Sequence, residues 1–227
     1  MTSQPFRMIK AIIFDFDGVI TESVGVKADG FAMLYEPYGN EIVKRVIDHH
    51  YANGGVSRYT KFLFYHREFL GSDLNDDELE DLGGKFSEFV VDRIIKAPFV
   101  KGALEFLKSN HKKYNLFIST ATPGDEIELI TKSKGIDGFF KAVFGSPHNK
   151  LIHIEKIMKI NHYTNDNIVF VGDNLQDKEA AYKKKLVFIA RMNSDNCTLE
   201  NEKYKIKDLR QLDVVLKEMD SFKNQFI

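Results

Sequence analysis

Two carboxylates, Asp15 and Asp17, close the apolar run Ala11-Ile12-Ile13-Phe14 and are followed at once by Gly18. A buried strand has no use for acids within it, so the pair belongs at the strand's mouth, where Gly18 lets the backbone turn sharply or approach a ligand. Acids placed in this way suit phosphoryl transfer through an aspartyl-phosphate. That chemistry needs a carboxylate nucleophile, a proton donor for the leaving oxygen, and cations around the phosphoryl group. Asp15, first at the strand end, is the candidate nucleophile. Asp17 lies two residues on and points to the same side, so it is the candidate acid and base; two close carboxylates repel, which separates their pKa values and suits them to different roles.

Later apolar runs also end on polar residues. Ser119-Thr120 closes Leu116 to Ile118, Ser146 to Lys150 follows Ala142 to Phe144, and Gly172-Asp173 closes Ile168 to Val171. Asp15, Asp173 and further oxygens would form a hard, all-oxygen site that suits Mg²⁺ better than zinc or copper. Asp177, four residues beyond Asp173, would face the same way on a helix opening there and support the metal from outside. Ser119 offers a hydroxyl and nearby backbone N–H groups to phosphoryl oxygens, and Lys150 offers a point charge. Taken singly, these residues have plainer readings. Asp173 and Asp177 are equally a helix cap and first-turn acid, Ser119 or Thr120 a strand-to-loop residue, and Lys150 a solvated helix start. Their arrival at successive strand ends favours a shared site, because ligands of open parallel sheets bind beyond the strands' carboxyl ends.

The elements that would position these groups follow from hydrophobic spacing. From residue 103 onward helices and strands alternate: Ala103–Ser109, Asp125–Lys134, Leu151–Ile160 and Leu175–Lys183 read as helices. Leu116–Ile118, Ala142–Phe144, Ile168–Val171 and Leu186–Ala190 read as strands, and Leu209, Leu212 and Leu216 suggest a closing helix. This βαβ series predicts a doubly wound, Rossmann-like parallel sheet of the α/β class. Between Val24 and Ala97 only helical stripes occur: Ile42, Val43, Val46 and Ile47; Phe62, Tyr65 and Phe69; Phe86, Phe89, Val90 and Ile94. Ala97-Pro98 ends that stretch. The expected organisation is a catalytic core of residues 1–22 and 98–227 with a helical cap, residues 23–97, inserted after the first strand.

Bulk properties narrow the function. A chain of 227 residues, 43% of them hydrophobic, can bury a real core, and a net charge of -1 provides no broad basic field for nucleic acid or anionic lipid. Residues 1–10 contain no apolar signal core and no run approaches a membrane span, so a cytoplasmic protein is expected. The single cysteine, Cys197, excludes an internal disulfide framework, and the Asn196-Cys197-Thr198 match to a glycosylation acceptor reads as chance. The seven histidines show no metal-ligand spacing and read as surface or cap residues. There is no Walker-type or Gly-x-Gly-x-x-Gly phosphate loop.

These residues together resemble the haloacid dehalogenase-like hydrolase superfamily, in the branch whose helical cap follows the first strand and which includes phosphoglycolate phosphatases and β-phosphoglucomutases. The motifs that carry the likeness are Ile12-Ile13-Phe14-Asp15-Phe16-Asp17-Gly18-Val19, Leu116-Phe117-Ile118-Ser119, Lys150, and Gly172-Asp173-Asn174-Leu175-Gln176-Asp177. The resemblance implies Asp15 as nucleophile and Mg²⁺ ligand, Asp17 as acid and base with its backbone carbonyl on the metal, Asp173 as metal ligand, and Ser119 and Lys150 on the phosphate. The acid at position 17 tells against dehalogenation, since displaced halide needs no proton. Gly54-Gly55-Val56-Ser57-Arg58 resembles a cap loop of β-phosphoglucomutase-like members, where an Arg meets a second phosphate. Those members carry Lys just before the Gly-Val-Ser-Arg run, where this chain has Gly55, or Gly54 if the run is counted from Gly55. Without the resemblance, the stretch is a Gly-Gly turn with Ser57 as a helix N-cap.

The expected function is a Mg²⁺-dependent phosphatase of a small phosphorylated metabolite, a sugar phosphate or phosphoglycolate-like acid. Asp15, Asp17, Ser119 and Lys150 would be catalytic; Gly18, Arg58 and Thr120 would face the substrate; Asp15, Asp17, Asp173 and Asp177 would serve the metal. The alternatives are a phosphomutase and, from another class, a non-catalytic phospho-receiver, which an inserted cap fits poorly. No nucleic-acid or membrane partner is expected, and a monomer is favoured.

Overall fold

A computed structural model describes residues 8–193 and 197–221. Most of the N-terminal stretch discussed above, and Asn196 of the acceptor match, lie outside these residues. Among the described residues, six parallel strands form one sheet in the order β3-β2-β1-β4-β5-β6. They are β1 (Ala11–Phe14), β2 (Asn115–Pro123), β3 (Phe140–Ser146), β4 (Ile168–Gly172), β5 (Val187–Arg191) and β6 (Tyr204–Ile206). β1 is central, pairing Phe14 with Ile118 on one side and with Val171 on the other. Strand order reverses around it, which makes the rim beyond Phe14 the topological switch point where ligands of such sheets bind. The sixth strand, only three residues long, has no apolar run of its own and was not expected from the sequence.

Alternation along β1 divides the core. Ile12 and Phe14 face a cluster containing Phe106 and Leu107 of α5 (Ala103–Asn110), Ile127 and Ile130 of α6 (Gly124–Ser133), and Leu212 and Leu216 of α9 (Leu212–Ser221). Ala11 and Ile13 face Ile154 and Ile157 of α7 (Lys150–Asn161) and Ala180 and Ala181 of α8 (Leu175–Lys183). Both faces are thus covered, as a parallel sheet requires. The helical cap comprises α1 (Val24–Tyr35), α2 (Asn40–Ala52), α3 (Arg58–Tyr65) and α4 (Asp76–Lys96). Asn75 starts α4 with a capping box, its side chain accepting from the Glu78 N–H while Glu78 returns a bond to the Asn75 N–H.

The cap's centre is aromatic. Phe31, Phe62, Tyr65 and Phe86 are fully buried, with Phe31 within 5.7 Å of the other three ring centres. Val46 is buried, whereas Ile42, Val43, Ile47, Phe69 and Phe89 of the expected stripes are only partly so, because a cap has one small core to face. His153 departs from the surface or cap placement expected of the histidines: it belongs to α7 and is 1% exposed. Among the described residues, no helix is long and apolar enough to cross a membrane.

Candidate active site

Strand ends at the centre of the sheet assemble the site. Asp15 follows β1 directly, its backbone N–H donating to the Val171 carbonyl at 2.9 Å, so the residue is held where β1 and β4 finish side by side. Its Oδ1 accepts from the Phe16 N–H at 2.6 Å. Its Oδ2 accepts from Lys150 Nζ at 2.7 Å and from Asn174 Nδ2 at 3.1 Å. Lys150 reaches this point because it is the first residue of α7, a helix started by Asn149, whose side chain accepts from the Ile152 N–H.

Asp173 and Asp177 flank the start of α8. Asn174 caps that helix by accepting from the Asp177 N–H at 3.1 Å, and Asp177 Oδ2 in turn accepts from the backbone N–H groups of Asp173 and Asn174. Asp177 also takes a hydrogen bond from Lys150. Asp173 accepts from Asn174 Nδ2 and from Asn193 Nδ2, each at 3.1 Å. Oxygens of Asp15, Asp173 and Asp177, all buried, lie within 4.8 Å of one another. Burial, reinforced by the Asp15 charge, pushes the Asp173 carboxyl up to about 7, and the same causes raise Asp177 well above the usual carboxylate range. For Lys150, burial pulls the ammonium down, but the charges of Asp15 and Asp177 outweigh it and the net direction is up.

Three buried acids share one ammonium, which leaves about two negative charges when all are ionised. An oxygen donor set with that deficit fits a hard divalent cation such as Mg²⁺. Gly18 is built into this arrangement. Its φ is +76° and a Cβ there would fall 2.1 Å from Asp173 Oδ2, so only glycine lets Asp173 close on the first strand's turn. It backs the acid and does not line the cavity, unlike the substrate contact expected of it.

Asp17 faces a cavity of about 450 Å³ that also borders Asp15, Asp173, Asn174, Thr120, Lys27 and Arg191. Its carboxylate accepts from Ser23 Oγ at 2.7 Å, from Thr122 Oγ1 at 3.2 Å and from Lys27. Burial alone would raise its pKa, but the Lys27 ammonium and the hydroxyls outweigh burial and hold the carboxyl below its ordinary value. The Asp17 side chain is therefore ionised and stands apart from the three-acid cluster.

Two expectations need correction. Ser119 is fully buried and borders neither this cavity nor a second one of about 350 Å³ that opens on Lys150. Its Oγ lies 2.9 Å from His153 Nδ1. His153 Nε2 faces the Gly145 carbonyl at 3.2 Å and so carries the proton, leaving Nδ1 to accept from the Ser119 hydroxyl. Burial pulls this imidazole down to about 4, so it stays neutral. Strand alternation sends the neighbouring side chains the other way: Thr120 borders both cavities, and Thr122 meets Asp17. Arg58 is likewise elsewhere. It is buried at the junction of cap and core, donating to both carboxylate oxygens of Glu126 on α6, at 2.8 and 2.5 Å, and to Ser87 Oγ at 2.7 Å, with Phe86 beneath its guanidinium. The plainer reading of its loop holds, since Ser57 caps α3 by accepting from the Thr60 N–H. Above the site, Gly55 donates to Gln176 Oε1 at 3.3 Å, and a Cβ at Gly55 would overlap Asn174 and Gln176.

The site residues that sequence reasoning missed are Lys27, Thr122, Asn174, Arg191 and Asn193. Extending the alternation of β2 past Ile118 would have grouped Thr120 with Thr122, and Arg191 ends its strand as Asp173 follows its own. Lys27, in the first turn of α1, carries no such signal.

Residues 12–191 match the sequence profile of a family described as haloacid dehalogenase-like hydrolase. No curated protein matches the chain. Among solved structures, a β-phosphoglucomutase from Clostridium difficile superposes with a TM-score of 0.77 at 19% identity, over 96% of this chain and 99% of that one. A protein described as a predicted phosphoglycolate phosphatase, from Haemophilus somnus, gives 0.73 at 17% identity, over 91% and 97%. A protein from Bacillus subtilis described as assigned to the HAD-hydrolases, solved bound to magnesium, gives 0.69 at 18% identity, over 93% and 100%. At these identities the structures share the fold, sheet and helical cap alike.

Proposed function

The chain belongs to the haloacid dehalogenase-like hydrolases, and from that premise we propose that it is a Mg²⁺-dependent phosphatase of a small phosphorylated metabolite, working through Asp15. The observation that carries this reading is the convergence on one sheet rim of Asp15, Asp173 and Asp177 around Lys150, with Asp17 facing the same cavity as Asp15. Asp15, Asp173 and, through its backbone carbonyl, Asp17 would hold the cation, with Asp177 supporting it. The cation supplies the positive charge that lets a phosphate dianion approach these acids.

Asp15 attacks phosphorus through a carboxylate oxygen, and the bond from phosphorus to the leaving oxygen breaks as the aspartyl-phosphate forms. Lys150, already bonded to Asp15 Oδ2, keeps that carboxylate oriented and offers its charge to the phosphoryl oxygens. Thr120 offers the hydroxyl that was sought at Ser119. Asp17 donates a proton to the leaving oxygen, then takes one from the water that hydrolyses the aspartyl-phosphate. The ionised form held by Lys27 is the one needed for the second step; for the first, Asp17 must leave Lys27 carrying a proton. Residues 23–97 act as the cap that shields this cycle from water, and residues 1–22 with 98–227 as the catalytic core.

A phosphomutase would need a seat for a second phosphate on the cap, and Arg58 is bound to Glu126 instead. Asp15→Asn should lower Mg²⁺-dependent hydrolysis of p-nitrophenyl phosphate at least about a thousandfold, because a neutral amide cannot attack phosphorus. Residual turnover within tenfold of the unaltered protein would remove Asp15 from the nucleophile's role.

A further inference from the structure

Arg191 ends β5, whose register pairs Ala190 with Gly172, so Arg191 stands one step on, beside Asp173 at the same rim as the acids. It is 7% exposed, yet among the described residues its guanidinium makes one hydrogen bond, from Nη2 to Glu22 Oε1 at 2.5 Å, and its Nε finds no partner there. A guanidinium offers five N–H donors in a planar fork, and leaving buried donors unpaired is unfavourable. Among the described residues, the other lysine or arginine bordering the cavity, Lys27, is already bound to Asp17 and Thr122. Glu22 is half-exposed and holds Arg191 through a single oxygen, so another anion could share or replace it at little cost.

The rest of the cavity leaves few seats for a charge. Val24, Tyr51, Ala52 and Leu175 supply apolar wall, and Asp15, Asp17 and Asp173 repel anions other than the phosphoryl group the cation brings. We propose that Arg191 is the receptor for a second anionic group on the substrate, a carboxylate or a second phosphate, a few bonds from the phosphoryl group that Asp15 accepts. The assignment rests on the phosphatase reading and narrows it to substrates charged at both ends. A planar fork suits either anion, because both offer paired oxygens. Arg191 also offsets the charge of Asp173 beside it. If that were its whole role, its loss would affect all substrates alike.

The test uses three small esters with Mg²⁺: phosphoglycolate, ethylene glycol bisphosphate, and ethyl phosphate, which has an uncharged tail. The unaltered protein should prefer one of the first two to ethyl phosphate. Arg191→Gln should raise KM for that substrate about tenfold or more, the scale of one lost charge-assisted hydrogen bond, with kcat nearly unchanged. Any change that the lost charge beside Asp173 brings is shared by ethyl phosphate, so the preference for the charged-tail ester over ethyl phosphate, as a ratio of kcat/KM, should fall about tenfold, and Arg191→Lys should recover part of it. Which of the two charged substrates responds identifies the anion. Equal loss on all three, or no preference in the unaltered protein, overturns the subsite.

Calorimetric binding of the same esters to Asp15→Asn protein, its fold checked by circular dichroism, separates the two readings. Tighter binding of a charged-tail ester that Arg191→Gln abolishes, with no turnover of any ester by the unaltered protein, would sink the phosphatase and keep the subsite. Turnover without any such binding contrast would do the reverse.

Discussion

Lys61, in the cap, shows how strongly burial weighs on a charge here. It is 2% exposed, its Nζ lies 2.9 Å from His50 Nδ1, and the Phe31 ring centre is 5.5 Å away. Burial is the largest influence on it; Lys27 adds repulsion, Asp17 favours the charge, and the amine falls from 10.5 to about 7. His50 is held well below its ordinary value by burial and by Lys61, and is neutral. In the folded protein Lys61 therefore loses its proton near pH 7, and in the unfolded chain near 10.5. Between those values the unfolded chain binds more protons, so folding stability rises with pH. The gap corresponds to about 5 kcal/mol at 1.36 kcal/mol per pH unit, nearly all of it felt at pH 6 and about 2 kcal/mol still felt at pH 9.

Lys61→Met keeps an unbranched stem of similar volume, removes the charge, and gives up one hydrogen bond of about 1 kcal/mol. The variant should be more stable than the parent by about 4 kcal/mol at pH 6 and by about 1 kcal/mol at pH 9, with the gain gone above pH 11. Urea unfolding at the three pH values, followed by far-ultraviolet circular dichroism because the chain has no tryptophan, measures this directly. A gain that is the same at pH 6 and pH 9, or a loss at pH 6, would refute the claim that Lys61 is desolvated without a compensating anion.

Ser119→Ala should leave phosphatase turnover within about threefold while costing about 1 kcal/mol of stability through the lost bond to His153, whereas Thr120→Val should lower kcat/KM at least tenfold; steady-state kinetics with p-nitrophenyl phosphate decides, and the reverse ranking would restore Ser119. At the cap junction, Arg58→Met or Glu126→Leu alone leaves a buried charge unpaired and should destabilise by about 3–5 kcal/mol, with the double variant recovering most of it; a double-mutant cycle by urea unfolding checks this. Removing divalent cations with EDTA should abolish turnover, and Mg²⁺ should restore it and raise the melting temperature in a concentration-dependent way, because a cation bound only by the folded state stabilises it; turnover unaffected by EDTA would exclude the metal.

Much of the sheet was legible because β1, β2, β4 and β5 are apolar runs with polar ends, and a strand buried on both faces leaves that mark in any sequence. β6 escaped because Tyr204–Ile206 is an edge strand whose identity lies in its pairing with β5. The acids were legible for the same reason as the strands: Asp15, Asp17 and Asp173 interrupt apolar stretches, and Lys150 follows another. By itself the sequence determined the parallel α/β architecture, the helical insertion after β1, and the acids at the sheet's rim.

Side-chain direction past a strand's apolar stretch was a different matter. Ser119 and Thr120 are adjacent hydroxyls, and only the path of β2 sends one to His153 and the other to the cavity. Arg58 and Glu126 are far apart in the chain, so nothing local shows that a carboxylate on α6 claims the cap's arginine. Lys27 and Arg191 likewise take their meaning from partners that the fold brings to them. Hydrophobic patterning is a property of neighbours along the chain, whereas the pairing of buried charges depends on which distant group arrives within hydrogen-bond reach, and only the tertiary structure decides that.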